Sequence, residues 1–521
     1  MSDLLLVVPL ALPLLVAGAL VLLRGTSGAG SPVAARWAGV ATTGSVAVVA
    51  GLLLRRTLAG EVPAVQVGGW APGLGIPLAA DPFAAVVLLA VSLVVLAGLV
   101  HAAGTGEDAA PALVPLVLVM SAGTYGALLA ADLFNLFVLV EVMLVPSYVL
   151  LVLGRRRTRA RLAAARLYVA VNLLASTVFL VGTGLVYAAA GTVQLGELAA
   201  LVEAGGATPS LQVAVWLLLL SMGVKCAAVP LHGWLPRSYA VAGPAVVAVF
   251  SALLTKTGLV VLVRLDALLV PDGSAVPQVV LVVGLLSAVV GVLLAVGEKG
   301  ARAVLTSHMV SQVGYLLAGL GLATALGLAA LVVFLVQYVL VKAALLMVAG
   351  AVETRRGTDR LDRLGGLARR EPVLATAFAL GAAGLVGLPP TSGFVAKLAL
   401  VTAAVDTGAW ATAGVLVAVS LLTLTSMLKL WNGIFWGETE TAPAGAVPPP
   451  GAGRADDADG EPADRGTRAR RAALVGPPLV LAAGALVLGV AAEPLLVVAD
   501  AAARALADPS PWVAAVTGGA P

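Results

Sequence analysis

The stretch LFNLFVLVEVMLVPSYVLLVLG, residues 133–154, decides the class of fold. It is apolar over the roughly 20 residues that a helix needs to cross a bilayer, yet Glu141 lies near its middle. A carboxylate at that depth is costly, and such groups usually face a bundle interior or a hydrated cavity. The stretch therefore predicts a membrane helix with a functional carboxylate. A purely structural ion pair between Glu141 and a buried lysine is the alternative.

The composition extends this interpretation to the whole chain. Of the 521 residues, 60% are hydrophobic and 11% are charged, and the apolar residues form fourteen blocks long enough to cross a bilayer. Lipid offers the backbone no hydrogen-bond partners, and the blocks are too long and too uniform for barrel strands. We predict an all-α polytopic membrane protein with about 14 transmembrane helices.

Two of the apolar blocks contain proline breaks, VPLHGWLPRS at residues 229–238 and GLPPTSGF at residues 387–394. Helices broken at corresponding positions of two halves are typical of inverted-repeat transporters, and ordinary proline kinks are the alternative. We predict a three-helix segment at 1–110, five-helix repeats at 111–270 and 276–436, a disordered cytoplasmic linker at 437–471, and a C-terminal helix and tail at 472–521. The linker prediction rests on a composition of Pro, Gly, Ala, Asp and Arg without periodicity.

Several functions are excluded by what the sequence lacks. The single cysteine, Cys226, excludes a disulfide framework and an iron–sulfur cluster held by this chain alone. No phosphate-binding glycine loop follows a strand, and the net charge of +4 lies in loops, so nucleotide and nucleic-acid binding have no support. We predict no cofactor, and the sequence leaves any metal undefined. The chain is expected to act on something small.

The basic residues predict the orientation of the chain. We number each loop by the apolar block that it follows. The odd-numbered loops hold 22 of the 31 lysines and arginines, including the run at 155–161, and the even-numbered loops and the C-terminal tail hold four. Cytoplasmic loops carry the excess of basic residues. We therefore predict a multi-pass membrane protein with both termini outside.

The five remaining basic residues lie inside apolar blocks, and all are lysines: Lys225, Lys256, Lys342, Lys397 and Lys429. A desolvated lysine can release its proton, whereas an arginine cannot. We predict a proton relay that joins Glu141 to the first four lysines. Lys429 lies near Trp431 and Trp436, which favours a structural role at the membrane interface.

Two histidines are further candidates for proton handling. His232 lies in the first break, and His308 lies in TSHMVSQVGY. Each is equally compatible with an interior histidine that only makes structural hydrogen bonds. His101 is predicted to lie at a loop and to have no role.

Four stretches together resemble one family. They are NLFVLVEVMLVPSYVLL from Asn135, GVKCAAVPLHGWLPRSYAVAGPAVVAVFSALLTKTGLVVLVRL from Gly223, SHMVSQVGYLLAGL from Ser307 and GLPPTSGFVAKLAL from Gly387. This set resembles the D subunits of Mrp-type multisubunit sodium/proton antiporters. That family is similar to the antiporter-like subunits of respiratory complex I and membrane-bound hydrogenases. The resemblance implies a fourteen-helix fold with two inverted five-helix repeats, and partners in a hetero-oligomeric membrane complex.

The resemblance also implies roles for single residues. Glu141 and Lys225 would form the charge pair of the first half-channel, Lys256 would link it toward the centre, and Lys397 would end the relay. The chain departs from the family at two places. Gln337 and Tyr338 precede Lys342 where the family often carries histidine, which implies proton passage through water. Arg302 stands where the family often carries lysine.

The sequence thus predicts a subunit that exchanges cytoplasmic sodium, or a related monovalent cation, for external protons. One alternative is a proton-pumping membrane subunit of an NADH–quinone oxidoreductase or hydrogenase, with the electron carriers on other chains. A structural scaffold, whose buried charges only hold helices together, is the other. Neighbouring genes would separate the first two functions, and mutation would test the third.

Overall fold

The computed structural model describes residues 2–27, 32–153, 158–437 and 465–519. Arg155, Arg156 and Arg157 of the basic run lie outside the described residues. So do residues 438–464, which make up most of the predicted linker.

The described residues form twenty α-helices, numbered here in chain order. They are α1 (Ser2–Ser27), α2 (Pro32–Leu58), α3 (Pro82–Thr105), α4 (Leu113–Leu129), α5 (Leu133–Val152), α6 (Arg159–Ala190), α7 (Leu195–Glu203), α8 (Pro209–Lys225), α9 (Trp234–Tyr239), α10 (Pro244–Leu269), α11 (Val276–Gly297), α12 (Ala301–Gly321), α13 (Ala325–Arg356), α14 (Leu367–Arg370), α15 (Pro372–Val386), α16 (Ser392–Asp406), α17 (Trp410–Ile434), α18 (Arg465–Val490), α19 (Glu493–Ala507) and α20 (Ser510–Thr517).

The helices confirm the predicted class of an all-α, multi-pass membrane protein. Within the described residues, eleven helices are long and apolar enough to cross a membrane, and α4, α8 and α15 are shorter apolar helices. Each of these fourteen elements falls on one of the fourteen apolar blocks. The number of crossings and the two inverted repeats stay predictions.

Three helices form the centre of the bundle. The most apolar 18-residue windows of α10 and α13 are completely buried, and that of α12 is 94% buried. The corresponding windows of α1 and α2 are only 22% and 33% buried, so these two helices lie at the perimeter. Because α10, α12 and α13 carry Lys256, His308 and Lys342, the titratable side chains lie at the most enclosed part of the chain.

Close backbone approach joins α11 to α12. A Cβ atom at Gly291 would lie 2.2 Å from the backbone nitrogen of Ser311, and one at Gly314 would lie 2.2 Å from that of Ala288. No real Cβ atom fits at such a distance, so only glycine permits this packing. The contact brings α12, and with it His308, to a fixed distance from α11.

The helices are interrupted at both predicted breaks, but the interruptions begin and end at other residues than predicted. Helix α8 ends at Lys225 and residues 226–230 are not helical, but a 3₁₀ turn (Leu231–Gly233) and α9 follow within the predicted break. Pro236 lies in the first turn of α9, where its missing N–H costs no hydrogen bond within the helix. Helix α15 ends at Val386 and α16 begins at Ser392, after Pro389, Pro390 and the N-cap residue Thr391.

Three features were not predicted. A small antiparallel hairpin pairs β1 (Ala64–Val67) with β2 (Ile76–Ala79), and α7 and α20 are short helices outside the apolar blocks. Helix α18 begins at Arg465, so the prediction that residues 465–471 belong to a disordered linker is wrong. Four of the seven residues at 465–471 are arginine, which favours helix, and the segment extends the apolar block that follows it.

Candidate functional site

Glu141 and Lys225 are joined through a serine. Glu141 is half-buried on α5, and Lys225 is the last residue of α8, with only 4% of its surface exposed. Lys225 Nζ donates to Ser176 Oγ on α6 at 2.8 Å, and the Ser176 hydroxyl donates to Glu141 Oε1. Among the described residues no direct ion pair joins the two charges. A hydroxyl therefore bridges the predicted charge pair.

Lys256 and Lys342 share one aromatic ring. Lys256 Nζ lies 3.8 Å from the centroid of the Tyr338 ring, and Lys342 Nζ lies 5.9 Å from the same centroid. Both lysines are almost fully enclosed, with exposed fractions of 1% and 0%. A cation over a ring face is attracted by the ring quadrupole, most strongly where water is excluded. Tyr338, which in the sequence stands out only as a departure from the family, holds the two lysines at one place.

A row of rings continues from Tyr338 toward the second break. Phe334 lies between Tyr338 and Tyr315, with centroid distances of 6.3 Å and 5.2 Å. Lys397 Nζ lies 4.9 Å from the centroid of the Tyr315 ring. The signal in the sequence was the spacing of Phe334, Tyr338 and Lys342, which recur every four residues on one face of α13.

Two of the lysines donate to backbone carbonyls. Lys342 Nζ donates to the carbonyl of Leu305 at 3.2 Å, and Lys397 Nζ donates to that of Val386 at 2.9 Å. Val386 is the last residue of α15, so its carbonyl has no partner within the helix and the ammonium group supplies one. In the described part of the chain, Lys225, Lys256, Lys342 and Lys397 have no carboxylate at ion-pair distance. The four lysines are therefore buried without direct neutralisation.

Helix α8, which ends at Lys225, packs on α10, which carries Lys256. A Cβ atom at Gly258 would lie 3.0 Å from Lys225 Cβ and from the backbone nitrogen of Cys226. Gly258 is two residues from Lys256. The absence of a side chain at Gly258 thus lets the end of α8 approach the helix that carries Lys256.

The histidines differ in their surroundings. His308 is fully buried on α12, its Nε2 bonds to Ser426 Oγ at 2.6 Å, and it lies within electrostatic reach of Lys342 and Lys397. His232 lies half-buried on the 3₁₀ turn of the first break. The prediction that His101 lies at a loop is wrong. It is fully buried in α3, beside Gly350 of α13 and the backbone of Leu474.

Several buried polar groups on α12 and α13 lack protein partners in the part of the chain that the structure describes. The side-chain amides of Gln312 and Gln337, the hydroxyl of Ser307 and Nδ1 of His308 are buried, and none has a hydrogen-bond partner among the described residues. Buried amides normally find a partner, from protein or from water. These groups are therefore suited to hold internal water between α12 and α13.

Two further basic residues have structural contacts. Lys429 donates to the carbonyls of Val296 and Glu298 at the end of α11, which agrees with the structural role predicted for it. Arg302 forms an ion pair with Glu353 at 2.8 Å on the side where α13 ends. Within the part of the chain that the structure describes, no group of three or more His, Cys, Asp or Glu side chains could hold a metal ion.

The fold and the site define a multi-pass helical membrane protein whose central helices carry a row of buried titratable side chains. Comparison with known proteins makes the assignment specific. Residues 130–423 match the NADH:quinone oxidoreductase/Mrp antiporter transmembrane family, and the chain belongs to that family.

The similar proteins agree with this assignment. The D subunit of the Na⁺/H⁺ antiporter of Alkalihalophilus pseudofirmus is 35% identical over 90% of this chain and 92% of its own length. The N subunit of the NADH-quinone oxidoreductase of Desulforudis audaxviator is 32% identical over 84% and 86%. A chain in the structure of the Mrp complex from a Dietzia species is 40% identical, with a TM-score of 0.91 over 99% of each chain. The resemblance found in the sequence is confirmed.

Proposed function

We propose that this chain is the proton-translocating subunit of a multisubunit monovalent-cation/proton antiporter, with sodium as the expected cation. The names of its relatives support antiport by a complex that contains a D subunit. The observation that carries the proposal is the set of buried lysines on α8, α10, α13 and α16, connected at one end to a carboxylate.

The buried charges themselves favour transport over a scaffold. A charge at the centre of a membrane helix costs roughly 2.5–3.5 kcal/mol even on the mild insertion scale, and a scaffold would recover that cost by pairing each lysine with a carboxylate. Lys256 and Lys342 instead face a ring and a carbonyl. Both contacts stabilise a charged ammonium group, and neither the ring nor the carbonyl can take the proton from it.

The relay runs from Glu141 and Lys225, through Lys256 and Lys342, to Lys397. His308 lies beside its second half, and His232 lies at the first break, from which protons could enter. The buried polar groups of α12 and α13 that lack partners among the described residues support proton passage through water there. Gln337 and Tyr338 stand where the family often carries a histidine. In this proposal the chain moves ions and performs no bond-making reaction on a substrate.

The complex and the orientation complete the proposal. The partners are the other subunits of a hetero-oligomeric antiporter in a bacterial cell membrane, together with lipid, protons and a monovalent cation. The 22-to-4 distribution of basic residues supports external termini.

A proton-pumping subunit of a redox complex remains the second candidate, because the N subunit of an NADH-quinone oxidoreductase is 32% identical. The D subunit of the Na⁺/H⁺ antiporter of Alkalihalophilus pseudofirmus is 35% identical and the chain of the Mrp complex is 40% identical, and both cover more of the chain. Purified complex that exchanges sodium for protons without an electron donor would decide for the antiporter. Proton movement that depends on electron transfer would decide for the redox complex.

Replacing Glu141 with glutamine tests the proposed function. The full complex is expressed in cells that lack other sodium/proton antiporters, and inverted vesicles report the collapse of a pH gradient when sodium is added. Glu141→Gln keeps the shape and ends the exchange of protons at this carboxylate, so we expect normal assembly with almost no sodium-dependent proton movement. Glu141→Asp should keep a fraction of the activity, because it still titrates.

A surface carboxylate serves as the control. Glu61 pairs with Arg56 at 2.5 Å in an exposed loop, so Glu61→Gln should transport normally. Normal transport by Glu141→Gln would refute the proposed relay, and loss of assembly as its only defect would support a scaffold instead.

A further inference from the structure

Ser176 differs from the threonines of α6 in its hydrogen bonds. Serine and threonine in helices commonly donate to a carbonyl one turn earlier on their own helix. Thr177 donates in this way to Leu173 at 2.9 Å, and Thr183 donates to Phe179 at 3.0 Å. Ser176, which is 4% exposed, instead donates across to Glu141 and accepts from Lys225. Its hydroxyl therefore bonds to side chains of two neighbouring helices, α5 and α8.

Neighbouring contacts fix the place of this hydroxyl. Two turns earlier on α6, Tyr168 bonds to Ser147 of α5 at 2.7 Å, which sets the register of α5 against α6. The adjacent carbonyl of Ala175 accepts from Ser221 of α8 at 2.6 Å, which sets the register of α8. The backbone around Ser176 is therefore fixed, and the short serine side chain keeps its hydroxyl between Glu141 and Lys225.

We propose that the Ser176 hydroxyl is the proton-carrying link between Lys225 and Glu141, an inference that rests on the proposed function. In the transfer, one N–H bond of the Lys225 ammonium breaks and its proton binds Ser176 Oγ. At the same time the original O–H bond of Ser176 breaks and that proton binds Glu141 Oε1. Lys225 becomes a neutral amine, Glu141 a carboxylic acid and Ser176 remains a hydroxyl, so atoms and total charge are conserved.

The reverse transfer uses the same three groups in the opposite order. A hydroxyl is suited to this step because it is both a donor and an acceptor, and a carbonyl in its place would stop the proton. The hydrogen bonds already run in the required direction, from the Lys225 ammonium through Ser176 to the Glu141 carboxylate. Direct transfer would need a contact between Lys225 and Glu141 that the described residues do not make.

The test compares Ser176→Ala, Ser176→Thr and Thr183→Ala in the assembled complex. Alanine removes the link, so sodium-dependent proton movement in inverted vesicles should fall by about a hundredfold or more, in the range of a lost proton-transfer group. Threonine keeps the hydroxyl and should restore a large part of the rate. Thr183→Ala removes a hydroxyl of the same helix that bonds only to its own backbone, and it should transport like wild type.

The outcomes separate this inference from the proposed function. If wild-type complex shows no sodium-dependent proton movement, the proposed function is wrong and the inference falls with it. If the wild type exchanges and assembled Ser176→Ala exchanges equally fast, only the inference is overturned.

If Ser176→Ala does not assemble, Ser176→Cys decides. A thiol is close to a hydroxyl in size but is a weak hydrogen-bond donor, so it should assemble and transport slowly. Failure of both variants to assemble would assign Ser176 a structural role and overturn the proposal.

Discussion

Replacing Tyr338 with leucine removes the ring that lies against two buried lysines. The Lys256 ammonium is 3.8 Å from the ring centroid, well inside the limit of about 6 Å for a cation–π contact, whereas Lys342 at 5.9 Å lies at that limit. A desolvated contact is worth about 2 kcal/mol, which is roughly thirtyfold in an equilibrium constant. Most of this effect belongs to Lys256.

The hydroxyl of Tyr338 should matter little in comparison. It lies 3.4 Å from the carbonyl of Met309, which is long for a hydrogen bond. We therefore expect Tyr338→Phe to transport at nearly the wild-type rate. Tyr338→Leu should lose roughly tenfold to thirtyfold in sodium-dependent proton movement per assembled complex, because the charged form of Lys256 loses its most favourable neighbour.

The assay is the inverted-vesicle measurement, normalised to the amount of assembled complex. Tyr239→Leu is the matched control, because Tyr239 is an equally buried ring with aromatic neighbours, and none of the described lysines lies over it. Wild-type transport by Tyr338→Leu would refute the role of the ring. Equal loss in Tyr338→Phe and Tyr338→Leu would transfer that role to the hydroxyl.

Three other changes test separate parts of the molecule. Lys256→Arg keeps a positive charge but cannot release a proton, so the complex should assemble and lose most transport in vesicles, whereas near-normal transport would favour a fixed charge. Reporter fusions near Arg156 and Arg360 should lie in the cytoplasm and fusions at both termini outside, and a cytoplasmic amino terminus would contradict the helix count. Gly314→Leu should prevent assembly, because a Cβ there already meets the Ala288 backbone at 2.2 Å, and membrane levels equal to wild type would contradict this packing.

The class of fold was predictable because only helices and closed barrels satisfy the backbone hydrogen bonds of a chain that crosses lipid. Fourteen apolar blocks and two proline-containing interruptions follow directly from composition and spacing. The structure has an apolar helix in each block and a helix break at each interruption. The hairpin between β1 and β2 was not predictable in the same way. Each strand has only four residues, and its position depends on contacts far along the chain, such as Gln66 donating to the carbonyl of Val516 at 2.9 Å.

The candidate site was predictable in its charges but not in its connections. A lysine in an apolar block is conspicuous, and all four lysines predicted for the relay are buried. Ser176 was inconspicuous because serine is common in helices and usually bonds to its own backbone. The signal was weak but present, since Tyr168, Asn172, Ser176 and Thr183 recur on one buried face of α6. Choosing between them required the register of α5 and α8 against that face.

The proposed relay has different chemistry at its two ends. It begins at a carboxylate, Glu141, and it ends at Lys397, which, like Lys342, donates to a backbone carbonyl. A carbonyl offers lone pairs but cannot keep a proton, whereas a carboxylate can. Because a neutral amine still has N–H donors, the bond from Lys397 to the end of α15 can persist whether or not the lysine is charged. Charge can therefore leave this end without breaking the contact that joins the two halves of the interrupted helix. If Lys397 ends the relay as proposed, its protonation and the integrity of the helix are independent, whereas at Glu141 every change of protonation would alter the hydrogen bond itself.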